Sequence, residues 1–198
     1  MLSQRHVPQP RDEESRPARR LPLLDAAREC VLDVGLRRTT LADVARRAGV
    51  SRMTVYRQYA DLQTLVSALL TRELLEVFDE VDAEVRPLPT ARERLVAAAV
   101  LVVRRVDGNE LYRRVLDLDP EMLLPLVVDR FGSTQRAALE LIAEQVREGQ
   151  QDGSVHAGDA ERMATAVLLT SQSFVFSARL VDDATLAELR PLLDGYLA

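Results

Sequence analysis

At 198 residues, with 47% hydrophobic and 29% charged residues, the chain can bury the core of one medium domain or of a small domain fused to a larger one, and global disorder is excluded. Leu, Ala, Arg and Glu make up 97 of the residues, against one Ile and no Trp, so helix formers abound and a sheet would lack its usual β-branched and aromatic residues. A net charge of −5 argues, taken alone, against a nucleic-acid partner, and the single cysteine excludes an intramolecular disulfide or a Cys-cluster metal site. Residues 1–20 hold Pro8, Pro10 and Pro17, show no helical periodicity, and read as a flexible basic arm. A first helix is expected from about Pro22 to Val34, with Leu23, Ala26, Ala27, Cys30, Val31 and Val34 on one stripe. Cys30 then reads as a packed thiol, and Gly35 is placed to end the helix in a left-handed conformation.

Thr40 with Asp43 three residues on opens a second, short helix carrying Leu41, Val44, Ala45 and Ala48 on one face. Gly49-Val50-Ser51 is a tight break, and Ser51 caps a third helix over about Arg52 to Tyr59. Asp61 starts a long helix whose apolar positions run from Leu62 to Val85, stopped by Arg86-Pro87-Leu88-Pro89. Thr90 and Glu93 form the next capping box, before an all-apolar run from Leu95 to Val103. A turn at Asp107-Gly108-Asn109, a helix from Glu110 to Leu118, and a restart at Asp119-Pro120-Glu121 with a kink at Pro125 follow. The pattern ends with helices over about Ser133 to Gln150, Ala160 to Leu180 capped by Asp159, and one opened by Thr185 with a bend at Pro191. The fold class is all-α, with about nine helices.

The charge is unevenly spread. Residues 1–60 hold 12 Arg against 7 acids, and residues 61–198 hold 14 against 24, so a basic end sits on an acidic body. Within that end, Val44, Ala45, Ala48, Gly49, Val50 and Val55 have helix-turn-helix spacing: Ala45 is small where the second helix crosses, and Gly49 permits the turn. The second helix of the pair leaves Arg52, Met53, Thr54, Tyr56 and Arg57 off the core, an offering of arginine, hydroxyls and a methyl-contacting side chain that suits the major groove. Thr40 and Ser51 lie at helix N-termini, where amides favour phosphate oxygens. Arg46 and Arg47 read as a solvated face rather than as base readers. His6 and His156 lack partners at metal-ligand spacing, no Gly-x-Ser-x-Gly elbow or Gly-rich phosphate loop is present, and nothing argues for catalysis, a cofactor or a metal.

The run Thr40-Leu41-Ala42-Asp43-Val44-Ala45-Arg46-Arg47-Ala48-Gly49-Val50-Ser51-Arg52-Met53-Thr54-Val55-Tyr56-Arg57-Gln58-Tyr59 closely resembles the DNA-binding domain of the TetR family of bacterial transcription regulators. Asp61-Leu62-Gln63-Thr64-Leu65 is similar to the start of that family's fourth helix, and the similarity covers about residues 21–70. The resemblance implies that Thr40, Ser51 and Tyr56 contact phosphates, that Arg52, Met53 and Thr54 face bases, and that Arg57 and Gln58 touch the backbone. Tyr59 matches an aromatic that is usually core. Leu62 departs from a common lysine, and Met53 stands where small residues are frequent.

Three parts are expected: an arm (1–20), a three-helix DNA-binding domain (21–65) and a helical effector-binding and dimerisation domain (66–198). By resemblance the last two helices pair with their mates in a four-helix bundle, with Leu189 and Leu193 in it. Met163, Ala166, Val167, Thr170, Phe174 and Ala178 give a seam with small residues that fits such pairing, or else plain interior core. Phe78, Arg104, Tyr112, Phe131 and Phe174 are the candidate pocket residues. The expected protein is a cytoplasmic homodimeric repressor that binds an inverted repeat in double-stranded DNA and is released by a small, mostly apolar effector. The longest uncharged run, Met163 to Ala178, is too short and too polar for a membrane span. The alternatives are a DNA-binding regulator without an effector, and a helical scaffold or enzyme whose helix-turn-helix is incidental.

Overall fold

A computed structural model describes residues 23–118 and 132–198, all of whose regular structure is helical. We number the helices α1 (Leu23–Val34), α2 (Leu41–Ala48), α3 (Arg52–Gln58), α4 (Leu62–Val85), α5 (Ala91–Gly108), α6 (Glu110–Leu118), α7 (Ser133–Asp152), α8 (Ala160–Ser177), α9 (Asp183–Ala187) and α10 (Leu189–Leu197). The arm, the restart at Asp119-Pro120-Glu121, Pro125 and Phe131 lie outside the described residues.

Side-chain caps set most of the boundaries. Thr40 and Asp43 form a complete capping box on α2, Ser51 Oγ accepts from Thr54 N on α3, and Asp61, Asp159 and Asp182 do the same for α4, α8 and α9. Thr90 makes only the forward half of its box, accepting from Glu93 N at 3.2 Å. The expected turn before Glu110 is tighter than its sequence suggests: α5 continues through Gly108, and Asn109 Oδ1 accepts from Leu111 N (3.0 Å) and Tyr112 N (3.2 Å) to start α6.

Gly49 ends α2 at φ 68°, ψ 30°, and Val50 N donates to Ala45 O at 3.0 Å, so the chain turns into α3 within three residues. Gly35 differs from expectation. Its φ is positive (83°) but its ψ is extended (162°), and the buried Thr39 hydroxyl donates to its carbonyl at 2.8 Å. The α8 segment tightens into a 3-10 turn at Ala178–Leu180, and the last helix breaks at Glu188 rather than bending at Pro191. Pro191 would clash with the carbonyl four residues back, at Ala187, so α9 stops there and Pro191 sits in the first turn of α10.

Three apolar clusters form the interior. The first joins α1, α2, Val55 of α3 and Leu65, Val66, Leu69 and Leu70 of α4, and is completed by Leu111, Val115 and Leu116 of α6. The second gathers α5, α7, α8, α9 and α10 around Val96, Val103, Val146, Val167, Leu189 and Leu197. The third sets Val77, Val81 and Val85 of α4 against Ala97. Helix α4, 24 residues and about 36 Å long, therefore packs at one end in the first cluster, with α1 to α3 (the head), and at the other end against α5.

Candidate nucleic-acid interface

Helix α3 is held by one side chain and offers the rest. Val55 is fully buried, while Arg52, Met53, Tyr56, Arg57 and Gln58 are exposed, Met53 by 76% and Tyr56 by 52%. Tyr59 packs against the first cluster, as expected of it. Thr54 is half-buried, and its hydroxyl lies 2.9 Å from Ser51 Oγ, which also accepts Thr54 N–H at 3.1 Å. Both hydroxyls are thus engaged in the cap.

The arginines of the head divide into two sets. Arg46 pairs with Asp43 at 2.7 Å, and Arg47 spans Asp33 (2.6 Å) and Glu29 (3.5 Å) on α1. Those charges are spent within the protein, which fits the solvated face read from the sequence. Arg38, Arg52 and Arg57 are exposed and have no carboxylate partner among the described residues. Arg52 and Arg57 lie on α3 and supply positive charge there with no carboxylate against it among the described residues, whereas Arg38 lines the groove between α1 and α2.

Thr40 is exposed at the start of α2, with its hydroxyl donating to Asp43 Oδ2 at 2.6 Å. That bond holds the Asp43 carboxyl below the usual carboxylate range, with Arg46 adding to the effect. An anion at this cap must therefore compete with a carboxylate already in place. Cys30 is buried in the first cluster, and burial pushes its thiol up. It is a packed thiol, as the apolar stripe implied.

The remaining candidates are dispersed. Tyr112 donates its hydroxyl to Leu70 O at 2.7 Å and packs against the first cluster, with its pKa raised by burial and by the nearby Glu73 carboxylate. It joins α6 to α4. Phe78 is half-buried on α4, Phe174 is half-buried against the second cluster, and Arg104 is exposed. Two surface grooves, of about 480 and 280 Å³, are lined by Asp61, Gln63, Thr64, Ser67, Ala68 and Thr71, and by residues of α1, α2 and the turn between them; neither is lined by these candidates.

The expected dimer seam needs correcting. Met163, Val167, Ala178, Leu189 and Leu193 are all buried in the protomer's own second cluster, so these five are interior core, while Ala166, Thr170 and Phe174 of the expected seam are half-buried. The face of α8 and α10 that reaches solvent carries Leu169 (50% exposed), Leu192 (49%) and Tyr196 (41%), with Leu180 (74%) just beyond α8. Thr170 is half-buried beside it. Among the described residues no helix is long and apolar enough to cross a membrane, and no group of His, Cys, Asp and Glu could hold a metal ion.

One buried polar cluster was not legible in the sequence. Glu73, only 5% exposed, meets Arg28 Nε of α1, Arg72 Nη2 of its own helix and Asn109 Nδ2 before α6, each at 3.3 Å. Arg72 also reaches Asp25 of α1 at 2.6 Å. The head, the long helix and the start of α6 meet at this carboxylate.

Known proteins bear on this geometry at two levels. The family model described as "Bacterial regulatory proteins, tetR family" matches residues 23–69, the segment that supplies most of the first cluster and the exposed face of α3. An uncharacterised HTH-type transcriptional regulator of Mycobacterium tuberculosis is 39% identical over 180 residues, covering 88% of this chain and 92% of its own. The HTH-type transcriptional regulator TtgR of Pseudomonas putida is 31% identical over 172 residues, covering 79% of this chain and 78% of its own. The structure of the TetR-family repressor QsdR from R. erythropolis superposes with a TM-score of 0.69 at 17% identity, covering 88% of this chain and 92% of its own. FadR from Bacillus subtilis, solved in complex with stearoyl-CoA, gives 0.65 at 18% identity, over 89% and 98% of the two chains. The likeness to the curated regulators extends well beyond the head, through the helices that carry it, and places this chain in the TetR family of bacterial transcriptional regulators.

Proposed function

We propose that the protein is a cytoplasmic repressor that binds an inverted-repeat operator as a homodimer and leaves it when a small, mostly apolar molecule binds among the helices after α4, with no catalysis involved. Residues 21–65 act as the reading head and residues 66–198 as the effector-binding and dimerisation part. The observation that carries this reading is the α3 face, where Arg52, Met53, Tyr56, Arg57 and Gln58 are exposed and both arginines lack a carboxylate among the described residues, whereas Arg46 and Arg47 are paired with carboxylates of α1 and α2. A major groove takes such a helix, and the unspent charge is worth most against phosphate. Thr40, Ser51, Tyr56, Arg57 and Gln58 position the head on the backbone, and Arg52, Met53 and Thr54 face the bases.

Dimerisation is supported by the exposed Leu169, Leu180, Leu192 and Tyr196, which join the half-buried Thr170 and Phe174 as the contact in place of the buried Met163, Val167, Ala178, Leu189 and Leu193. Helix α4 supports effector control, since one end is packed in the head and the other against α5. A ligand preferring a pose with the two heads at the wrong spacing lowers DNA affinity by its differential binding to that pose. Phe78 and Phe174 are the described apolar candidates for contact, Tyr112 and Arg104 the polar ones. The stearoyl-CoA held by FadR supports an effector with a long apolar part.

Footprinting on the DNA upstream of the protein's own gene tests the reading. A two-fold symmetric protected site is expected, with Arg52→Ala costing about 1–3 kcal/mol at particular base positions. A footprint without symmetry, or unchanged selectivity in Arg52→Ala, overturns it.

A further inference from the structure

We propose that Met53 selects a thymine in each half of the operator by packing its side chain against the 5-methyl group of that base. The inference rests on the DNA-reading role given above to α3 and adds the base that α3 reads. Met53 is 76% exposed, more than any other large hydrophobic side chain among the described residues. It adds little to the fold, because Val55, fully buried, anchors α3 alone. An apolar side chain left this far in water gains most from a partner that removes it from water.

The neighbours of Met53 divide the rest of the work. Arg52 is exposed, has no carboxylate partner among the described residues, and can meet a guanine edge or a phosphate. Thr54, also facing the bases in that reading, has its hydroxyl 2.9 Å from Ser51 Oγ and already engaged in the cap. Met53 is thus the apolar probe of the first turn. Of the four base-pair orientations, only those containing thymine present an apolar group in the major groove, the 5-methyl, and an unbranched thioether with three rotatable bonds can adapt to it. A donor or acceptor edge opposite Met53 would instead lose its water without a replacement hydrogen bond.

The test uses the full-length protein and one random-sequence duplex library amplified twice, once with thymidine and once with deoxyuridine, which pairs identically but lacks the methyl group. From the thymidine library the wild type is expected to recover a symmetric consensus with a thymine column in each half. From the deoxyuridine library that column flattens while the columns read by Arg52 persist. Deoxyuridine at that position of the selected duplex should weaken binding about fourfold per half-site, and about fifteenfold for both, as expected for one buried methyl each. Met53→Ala should lose the column and become indifferent to deoxyuridine. Met53→Leu, which keeps the apolar reach, should retain both. Equal thermal melting of the variants by circular dichroism checks that the fold is intact. A wild-type consensus insensitive to deoxyuridine, or a Met53→Ala protein that keeps the sensitivity, overturns the inference and leaves the DNA-reading role standing. No consensus from either library overturns that role, and this inference with it.

Discussion

Two hydroxyls in this molecule look alike in sequence and do different work. That of Thr54 closes a cap with Ser51 at 2.9 Å, while that of Tyr112 crosses between helices to Leu70 O at 2.7 Å. The Tyr112 bond lies in an apolar surround, where burial raises the phenol's pKa and keeps it a donor. Tyr112→Phe should therefore cost about 1 kcal/mol in urea unfolding, the ordinary net worth of one hydrogen bond. Leu70 O keeps its helical partner, so no buried acceptor is orphaned. A loss of 3 kcal/mol or more would mean that the phenol holds more than this one bond. If Tyr112 also contacts the effector, the variant should weaken ligand release of DNA while leaving operator affinity intact.

At the scale of elements, the joint around Glu73 binds α1, α4 and the start of α6. Glu73→Ala removes the carboxylate that Arg28, Arg72 and Asn109 share. The Arg28 and Arg72 side chains are 35% and 27% exposed, so both guanidiniums can turn to water, and Arg72 keeps Asp25. The cost should be about 2 kcal/mol, below the 3–5 kcal/mol of a fully enclosed broken pair. Faster amide hydrogen exchange in α1 and α6, with α7 and α8 unchanged, is the expected signature. Uniform acceleration through every helix would show a general loss of stability and no local joint.

For the molecule as a whole, the inward-facing stripe and the exposed face of α8 make opposite predictions. Val167→Glu places a charge in the second cluster, where Val167 is 1% exposed, and should unfold the protein or lower its melting temperature sharply. Leu169→Glu, two positions away and 50% exposed, should leave the melting temperature of the monomer nearly unchanged and dissociate the dimer. Sedimentation velocity separates the two outcomes. Specific DNA binding should fall with dissociation, since one half-site leaves too few contacts. A folded, dimeric Leu169→Glu protein would move the interface to another face.

What the sequence determined by itself is the set of features that close over three or four residues. The caps at Thr40, Ser51, Asp61 and Asp159, the left-handed turn at Gly49 and the stop before Pro87 are all legible because their hydrogen bonds and steric clashes are local. The helix-turn-helix follows from the same short range, and with it the exposed face of α3. An amphipathic stripe, by contrast, states which residues leave water and not what covers them. Met163, Val167 and Ala178 fit a partner's bundle as well as their own core, and only the packing of α5, α7 and α10 around them decided for the core. Arg47 is spent because Asp33, 14 residues from it in sequence, lies across from it on α1. Glu73 sits in a helix whose spacing reads as apolar, and its partners Arg28 and Asn109 come from distant turns of the chain. Such contacts depend on how helices are placed against one another, a long-range balance of burial and charge that no local pattern encodes.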